Sequence, residues 1–193
     1  MAIVINLFGA PSAGKSTGAA YVFSKLKMAG VNAELVTEFA KDKTWEHNTE
    51  ALKNQAYMFG NQYYRISRCA EKVDVIVTDS PLPLSIVYNT DINLGNKFNE
   101  VVLNVFKSFN NLNFYIQRVK PYNPVGRNQS EEESNQLNGP ILNLLLNNYL
   151  PYKQVNGDEE GYDYIVEYVL DFLKNQTLSF SGDKYDEKNY MWI

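Results

Sequence analysis

Residues 9–17 read Gly-Ala-Pro-Ser-Ala-Gly-Lys-Ser-Thr, which sets Gly9, Gly14, Lys15 and Ser16 at the spacing G-x-x-x-x-G-K-[ST]. The chemistry of that spacing is phosphate binding. Glycines permit the torsions that turn successive backbone N–H groups inward, and a following helix adds the positive end of its dipole. Such a loop, with Ala10, Pro11, Ser12 and Ala13 as its turn, takes the phosphates of ATP or GTP. Lys15 would reach the β- and γ-phosphates, the Ser16 hydroxyl would go to Mg²⁺, and Thr17 would lie near the α-phosphate. An apolar run just before (3–8) and a helical pattern just after (15–29) supply the context that the motif requires.

Other candidate groups follow the apolar runs. Asp79 comes directly after Val-Ile-Val-Thr, where a carboxylate can hold Mg²⁺ through water; a turn-forming Asp ahead of Ser80-Pro81 is the plainer alternative. Glu38 lies just past the second run, where it could accept the proton of an attacking hydroxyl, or merely stand at a helix start capped by Thr37. Asp42 is a weaker candidate for the same role. Gln55, Phe59, Gln62 and Arg65 recur every three or four residues on one long helical stretch and so share a face. A Gln can read a base edge, an aromatic ring can stack on it and an Arg can bind phosphate, whereas a core aromatic row beside solvated Arg residues gives the same pattern.

The chain has fourteen Lys and four Arg. Arg is the residue for planar, bidentate recognition, so each of the four positions stands out. Arg118 ends the fourth apolar run. Arg127 lies in the loop Lys-Pro-Tyr-Asn-Pro-Val-Gly-Arg-Asn-Gln, which could close over ATP and neutralise charge on a transferred phosphoryl group. Ser130 ahead of Glu131–Glu133 reads as a helix cap rather than a metal site. Asp158, in Asn156-Gly157-Asp158 after the fifth run, would border the adenine by fold-level analogy.

The elements that must position these groups alternate along the chain. Strands are expected at 3–8, 32–37, 73–79, 112–118 and 152–156. Helices are expected at 15–29, 48–70, 96–109, 130–149 with a break or restart at Gly139-Pro140, and 161–174. Alternation of this kind predicts an α/β fold with a mainly parallel five-stranded sheet, helices on both faces and ligands at the strand C-terminal ends. Residues 1–174 read as one domain, and 175–193 as a polar tail able to dock on the body or on a second copy in a homodimer.

Composition bounds the rest. With 193 residues, 45% of them apolar, and a net charge of −4, this is an ordinary globular chain. The charge gives no global attraction to nucleic acid or an anionic membrane, although a local groove could bind nucleic acid. One cysteine excludes a disulfide framework within the chain and suits a reducing cytoplasm. The apolar run at the start is too short to span a membrane and has no basic flank.

Taken together, Gly-Ala-Pro-Ser-Ala-Gly-Lys-Ser-Thr, Glu-Leu-Val-Thr-Glu-Phe-Ala-Lys-Asp, Tyr-Met-Phe-Gly-Asn-Gln-Tyr-Tyr-Arg, Val-Asp-Val-Ile-Val-Thr-Asp-Ser-Pro and Tyr-Asn-Pro-Val-Gly-Arg-Asn-Gln resemble the NadR-like branch of P-loop kinases. The likeness is nearest to small bacteriophage-encoded ATP-binding proteins and covers roughly 1–174. It implies a P-loop NTPase fold with ATP as phosphoryl donor and a nucleoside, a nucleotide or nicotinamide riboside as acceptor. Glu38 would match the acid after the second strand, Asp79 the Asp at the third, Arg127 and Arg118 the lid arginines, and Gln62 the base-binding Gln of nucleoside kinases. No Trp accompanies the lid Arg, unlike nicotinamide-riboside kinases. Asp79-Ser80-Pro81 replaces the Asp-Arg-Ser or Glu-Arg-Ser of deoxynucleoside kinases. The leading expectation is an ATP- and Mg²⁺-dependent kinase acting on a nucleoside-like acceptor, a modified base of phage DNA such as hydroxymethylpyrimidine included. The rival is a partner-coupled ATPase or switch.

Overall fold

The computed structural model describes residues 1–126 and 129–180, the last four by backbone alone. Among the described residues the strands are β1 (Ile3–Phe8), β2 (Ala33–Val36), β3 (Val75–Thr78), β4 (Asn110–Gln117) and β5 (Lys153–Asn156). They form one sheet in the order β2-β3-β1-β4-β5, and every pairing is parallel. The helices are α1 (Lys15–Met28), α2 (Phe39–Trp45), α3 (Thr49–Lys53), α4 (Gln55–Ser67), α5 (Leu84–Val87), α6 (Gly95–Lys107), α7 (Glu131–Gln136), α8 (Asn138–Asn147) and α9 (Glu159–Phe180).

β1 shows why the sheet is central. All six of its residues are buried. Ile3, Ile5 and Leu7 enter one hydrophobic cluster with α1 and α9, while Val4 and Phe8 enter the other with α4, α5, α6 and α8. A strand apolar on both faces needs helices on both faces, the signature of a parallel α/β sheet. Right-handed crossovers account for the sides taken. The chain steps from β1 out to β2 through α1 on one face, and returns through β3, β4 and β5 with α4, α6 and α8 on the other. The polar exception on β1 is Asn6, which donates to the side-chain oxygens of Asn111 (2.9 Å) and Asn113 (3.1 Å) on β4. A buried amide must find such partners.

Element boundaries differ from the sequence expectation where short polar residues intervene. The stretch 48–70 divides into α3 and α4 because Asn54 caps the second helix, accepting from the Tyr57 N–H at 2.9 Å. The expected break near Gly139-Pro140 is present: α7 ends at Gln136, the chain restarts as α8 at Asn138, and Pro140 marks the restart. It falls in the first turn of α8, where its missing N–H costs nothing. On α6 the buried face is Phe98, Val102 and Phe106, while Val101 stands 52% exposed. The final helix runs on to Phe180, so 175–180 are helical; 181–193 lie outside the described residues. Among the described residues no helix is long and apolar enough to cross a membrane.

Candidate active site

The phosphate loop joins β1 to α1 at the C-terminal edge of the sheet. Gly14 is the cap residue of α1 and sits at φ 102°, in the left-handed region. A Cβ there would collide with the hydroxyl of Tyr162, which donates to the Gly14 carbonyl at 2.9 Å. Glycine is therefore required twice over, by torsion and by space. Tyr162 on α9 is buried and braces the loop from behind. The Lys15 ammonium donates to the Gly9 (2.8 Å) and Ala10 (3.0 Å) carbonyls, so its stem is folded along the loop it serves. The loop is also tied to the segment after β4. Ser12 Oγ accepts from the Asn123 N–H at 3.0 Å, and Ser134 on α7 donates to the Pro11 carbonyl at 2.8 Å.

From Lys15 and Ser16 a cavity of about 620 Å³ extends past Glu38 between α2, α4 and α5. Its lining includes the exposed Lys41 and Lys53 as well as Phe39, Met58, Leu84 and Tyr88. Glu38 is among the lining residues. It is the cap residue of α2, at φ −61° and ψ 122°, yet its side chain makes no cap hydrogen bond. The plainer reading is met in that the carboxylate stands at a helix start, although the cap position falls on Glu38 rather than Thr37.

Asp79 follows β3 at the same edge. It is 3% exposed, and its Oδ1 is buried without a hydrogen-bond partner among the described residues. An orphaned carboxylate oxygen beside a phosphate loop is what a cation would satisfy. Ser16 and Asp79 therefore fit a Mg²⁺ ion held in the manner of P-loop proteins, with few protein ligands. No cluster of three or more acidic, His or Cys groups able to hold a metal occurs among the described residues.

Of the sequence-derived candidates, Pro11, Ser12, Gly14, Lys15, Ser16, Thr17, Glu38, Gln55 and Gln62 line the cavity, whereas Gly9, Ala10 and Ala13 form the back of the loop. Several others are placed differently. Phe59 belongs to the core, stacked on Tyr63 and edge-on to Phe98. Arg65 is outside the cavity; it pairs with Asp42, donates to the Thr37 carbonyl at 3.3 Å and covers the Phe39 ring. Both Asp42 and Arg65 thus buttress the start of α2. Gln62 touches the cavity, but both ends of its amide are engaged, accepting from the Phe39 N–H and donating to Thr78 Oγ1 at 3.3 Å. Each end of the amide keeps one further hydrogen-bonding position. Asp158 caps α9 through the Gly161 N–H at 3.0 Å and does not line the cavity. Arg118 bonds Asn135 and Glu131 on α7 and lies over Tyr122, with Nη1 buried and unpartnered among the described residues. Arg127 lies outside the described residues. Ser130 and Glu133 form a complete capping box on α7, which bears out the helix-start reading of 130–133.

Three residues were missed by sequence reasoning. Ser85 lines the cavity from α5 and Tyr88 from the C-cap position just after it; a helix of four residues is too short to show a periodicity. Trp45, at the end of α2, meets the loop after β4 at Gly126. Burial, reinforced by the Glu38 charge, pushes the Tyr88 phenol well above the ordinary tyrosine range.

Comparison with known proteins agrees with this geometry. No curated protein matches the sequence. A solved structure described as deoxyadenosine kinase from M. mycoides with bound dATP superposes with a TM-score of 0.56 at 21% identity, over 89% of this chain and 99% of that one. At that identity the likeness is one of fold, and the five-stranded parallel sheet with its phosphate loop is the P-loop NTPase fold. A family model described as an AAA domain matches residues 4–161. Since that match takes in well over half of the residues, the chain belongs to the AAA domain family.

Proposed function

We propose that this protein is an ATP- and Mg²⁺-dependent kinase that phosphorylates a nucleoside, nucleotide or modified-nucleobase acceptor. The observation that carries the reading is the cavity itself, whose lining runs beyond the phosphate loop. It continues from the phosphate loop past Glu38 into a partly apolar pocket, and its 620 Å³ is in the range of small-molecule sites, about 300–1,000 Å³. Hydrolysis alone needs no such room beside the terminal phosphate.

The chain's own groups divide the work. The loop N–H groups and Lys15 neutralise and orient the triphosphate, which in phosphoryl transfer is most of catalysis. Glu38 takes the proton of the acceptor hydroxyl as its oxygen bonds to the γ-phosphorus; the bond from that phosphorus to the β–γ bridging oxygen breaks, and ADP leaves. Ser16 and Asp79 would hold Mg²⁺, which supplies charge neutralisation on the phosphates when bound. The exposed Lys41 and Lys53 in the lining suit a phosphate-rich ligand. The neighbouring deoxyadenosine kinase and the NadR-like sequence pattern support the kinase class, and a cytoplasmic setting follows from a substrate of that kind.

The test is ADP release from Mg²⁺ATP against nucleosides, monophosphates, nicotinamide riboside, and oligonucleotides with and without hydroxymethylpyrimidines, with Lys15→Ala as the blank. Acceptor-dependent turnover that Lys15→Ala abolishes is expected. Slow hydrolysis indifferent to every acceptor would instead favour a partner-coupled ATPase.

A further inference from the structure

The cavity has polar lining groups that the reaction above does not use. Among them are Ser85 on α5 and Tyr88, its C-cap residue three positions on. Tyr88 is half-buried. No hydrogen bond to its hydroxyl occurs among the described residues, although the ring is close enough to Glu38 to feel its charge. Polar side chains in such positions are normally satisfied, and one left open toward a cavity is satisfied by what fills it. Gln62, the residue that sequence reasoning put in this role, has both amide ends engaged by Phe39 and Thr78. The phenol keeps its proton across the physiological range, so toward a ligand oxygen it is a neutral donor.

We propose that Tyr88 is the acceptor-recognition residue, donating a hydrogen bond to a second oxygen on the acceptor beside the hydroxyl that Glu38 orients. The proposal rests on the kinase reading and narrows it to acceptors with paired oxygens. A sugar with two hydroxyls meets that requirement, and so does a hydroxymethyl base whose ring carbonyl adjoins the hydroxymethyl group. Acceptors with one oxygen at the site leave Tyr88 buried and unpaired, which is how such a pocket rejects them.

The experiment compares wild type with Tyr88→Phe, which keeps the ring and removes the donor. Probes for the sugar arm are 2′-deoxynucleosides and their 2′,3′-dideoxy counterparts. Probes for the base arm are 5-hydroxymethyl-2′-deoxyuridine and, as the counterpart whose adjoining group is an amine instead of a carbonyl, 5-hydroxymethyl-2′-deoxycytidine, each free and in single-stranded oligonucleotides. For the acceptor that wild type uses, Tyr88→Phe is expected to raise KM about tenfold, leaving the KM for ATP and the melting temperature unchanged. Removing the second oxygen from that acceptor should produce the same loss in wild type and little further loss in Tyr88→Phe, the non-additivity of a direct contact. An unchanged acceptor KM in Tyr88→Phe, or losses that simply multiply, overturns the assignment of Tyr88 and leaves the kinase reading standing. Absence of wild-type turnover on every probe overturns both.

Discussion

The Phe39 N–H donates to the side-chain oxygen of Gln62 at 2.9 Å, across 23 positions of sequence, and both residues are buried. The bond joins the first turn of α2 to the middle of α4, one residue beyond Glu38. The other end of the amide reaches Thr78 at the end of β3, one residue before Asp79. Gln62 therefore spans the two carboxylates of the site by holding their chain neighbours. That gives it a positioning part whatever else it does in the cavity.

This bridge can be broken with a residue of similar size. Gln62→Leu leaves the Phe39 N–H buried and unpaired, at a cost of about 1–3 kcal/mol. In a chain of this length that corresponds to a melting temperature lower by roughly 2–4 °C per kcal/mol. The turnover rate should fall because Glu38 loses its fixed place, while the ranking of acceptors stays the same. A changed acceptor ranking at unchanged melting temperature would return Gln62 to the role of base reader.

Glu38→Gln separates catalysis from stability. The side chain makes no cap hydrogen bond, so its replacement costs α2 no cap, and the change in melting temperature should be small beside the change in rate. Loss of a general base should lower kcat by about 10²–10⁴-fold with nucleotide affinity intact. Calorimetry and steady-state kinetics on the same preparation check both halves. A variant with normal kcat and a lower melting point would make Glu38 a structural residue of α2.

The fold was legible because β1 and β3 are largely apolar runs, helical patterns alternate with the strands, and the phosphate loop has a fixed spacing. The interior of the stretch 48–70 was not. Helical periodicity continues through Asn54, and only the cap bond to Tyr57 shows that one helix ends and another begins. The site was legible where backbone geometry dictates residue type, as at Gly14 and Lys15, and where an acid follows a strand, as at Glu38 and Asp79. It was illegible where side chains compete for the same polar atoms. The spacing of Gln62 and Arg65 put them on one helix face with Gln55, but not that Phe39 and Asp42 already engage them. Tyr88 was hidden because a four-residue helix has no period to read.

Alkaline pH offers a probe of Tyr88 independent of any substrate. Its phenol is raised above the ordinary value of 10.0, chiefly by burial and then by the Glu38 charge. Below pH 10 both folded and unfolded chains keep the proton, so this residue gives stability no pH dependence there. Above that, the unfolded chain releases the proton first, and stability falls with rising pH by up to about 1.4 kcal/mol per unit for this one group. Denaturant unfolding of wild type and Tyr88→Phe between pH 9 and 11 should give curves that run together at the lower end and separate above 10, with the variant less sensitive. Parallel curves would mean that the phenol is as well solvated in the fold as in the unfolded chain.

The loop after β4 can be tested through its seat on α2. Gly126 has φ 71°, and a Cβ added there would come within 2.9 Å of the Trp45 ring. Gly126→Ala must therefore strain the backbone, by about 1 kcal/mol for a left-handed alanine, and displace the indole. Trp45 is 58% exposed, so the ring rather than the sheet edge should yield. Because Val125 and Gly126 also wall the cavity, shifting them should loosen the cover over the phosphates. The expected result is a KM for ATP raised about fivefold, the equivalent of roughly 1 kcal/mol, with acceptor preference unchanged. The chain has two tryptophans, so Trp192→Phe leaves Trp45 as the sole indole reporter. In that background Gly126→Ala should alter the emission of Trp45 and weaken its response to added nucleotide. Identical emission and identical KM would show that the contact between the loop and α2 has no part in holding the nucleotide.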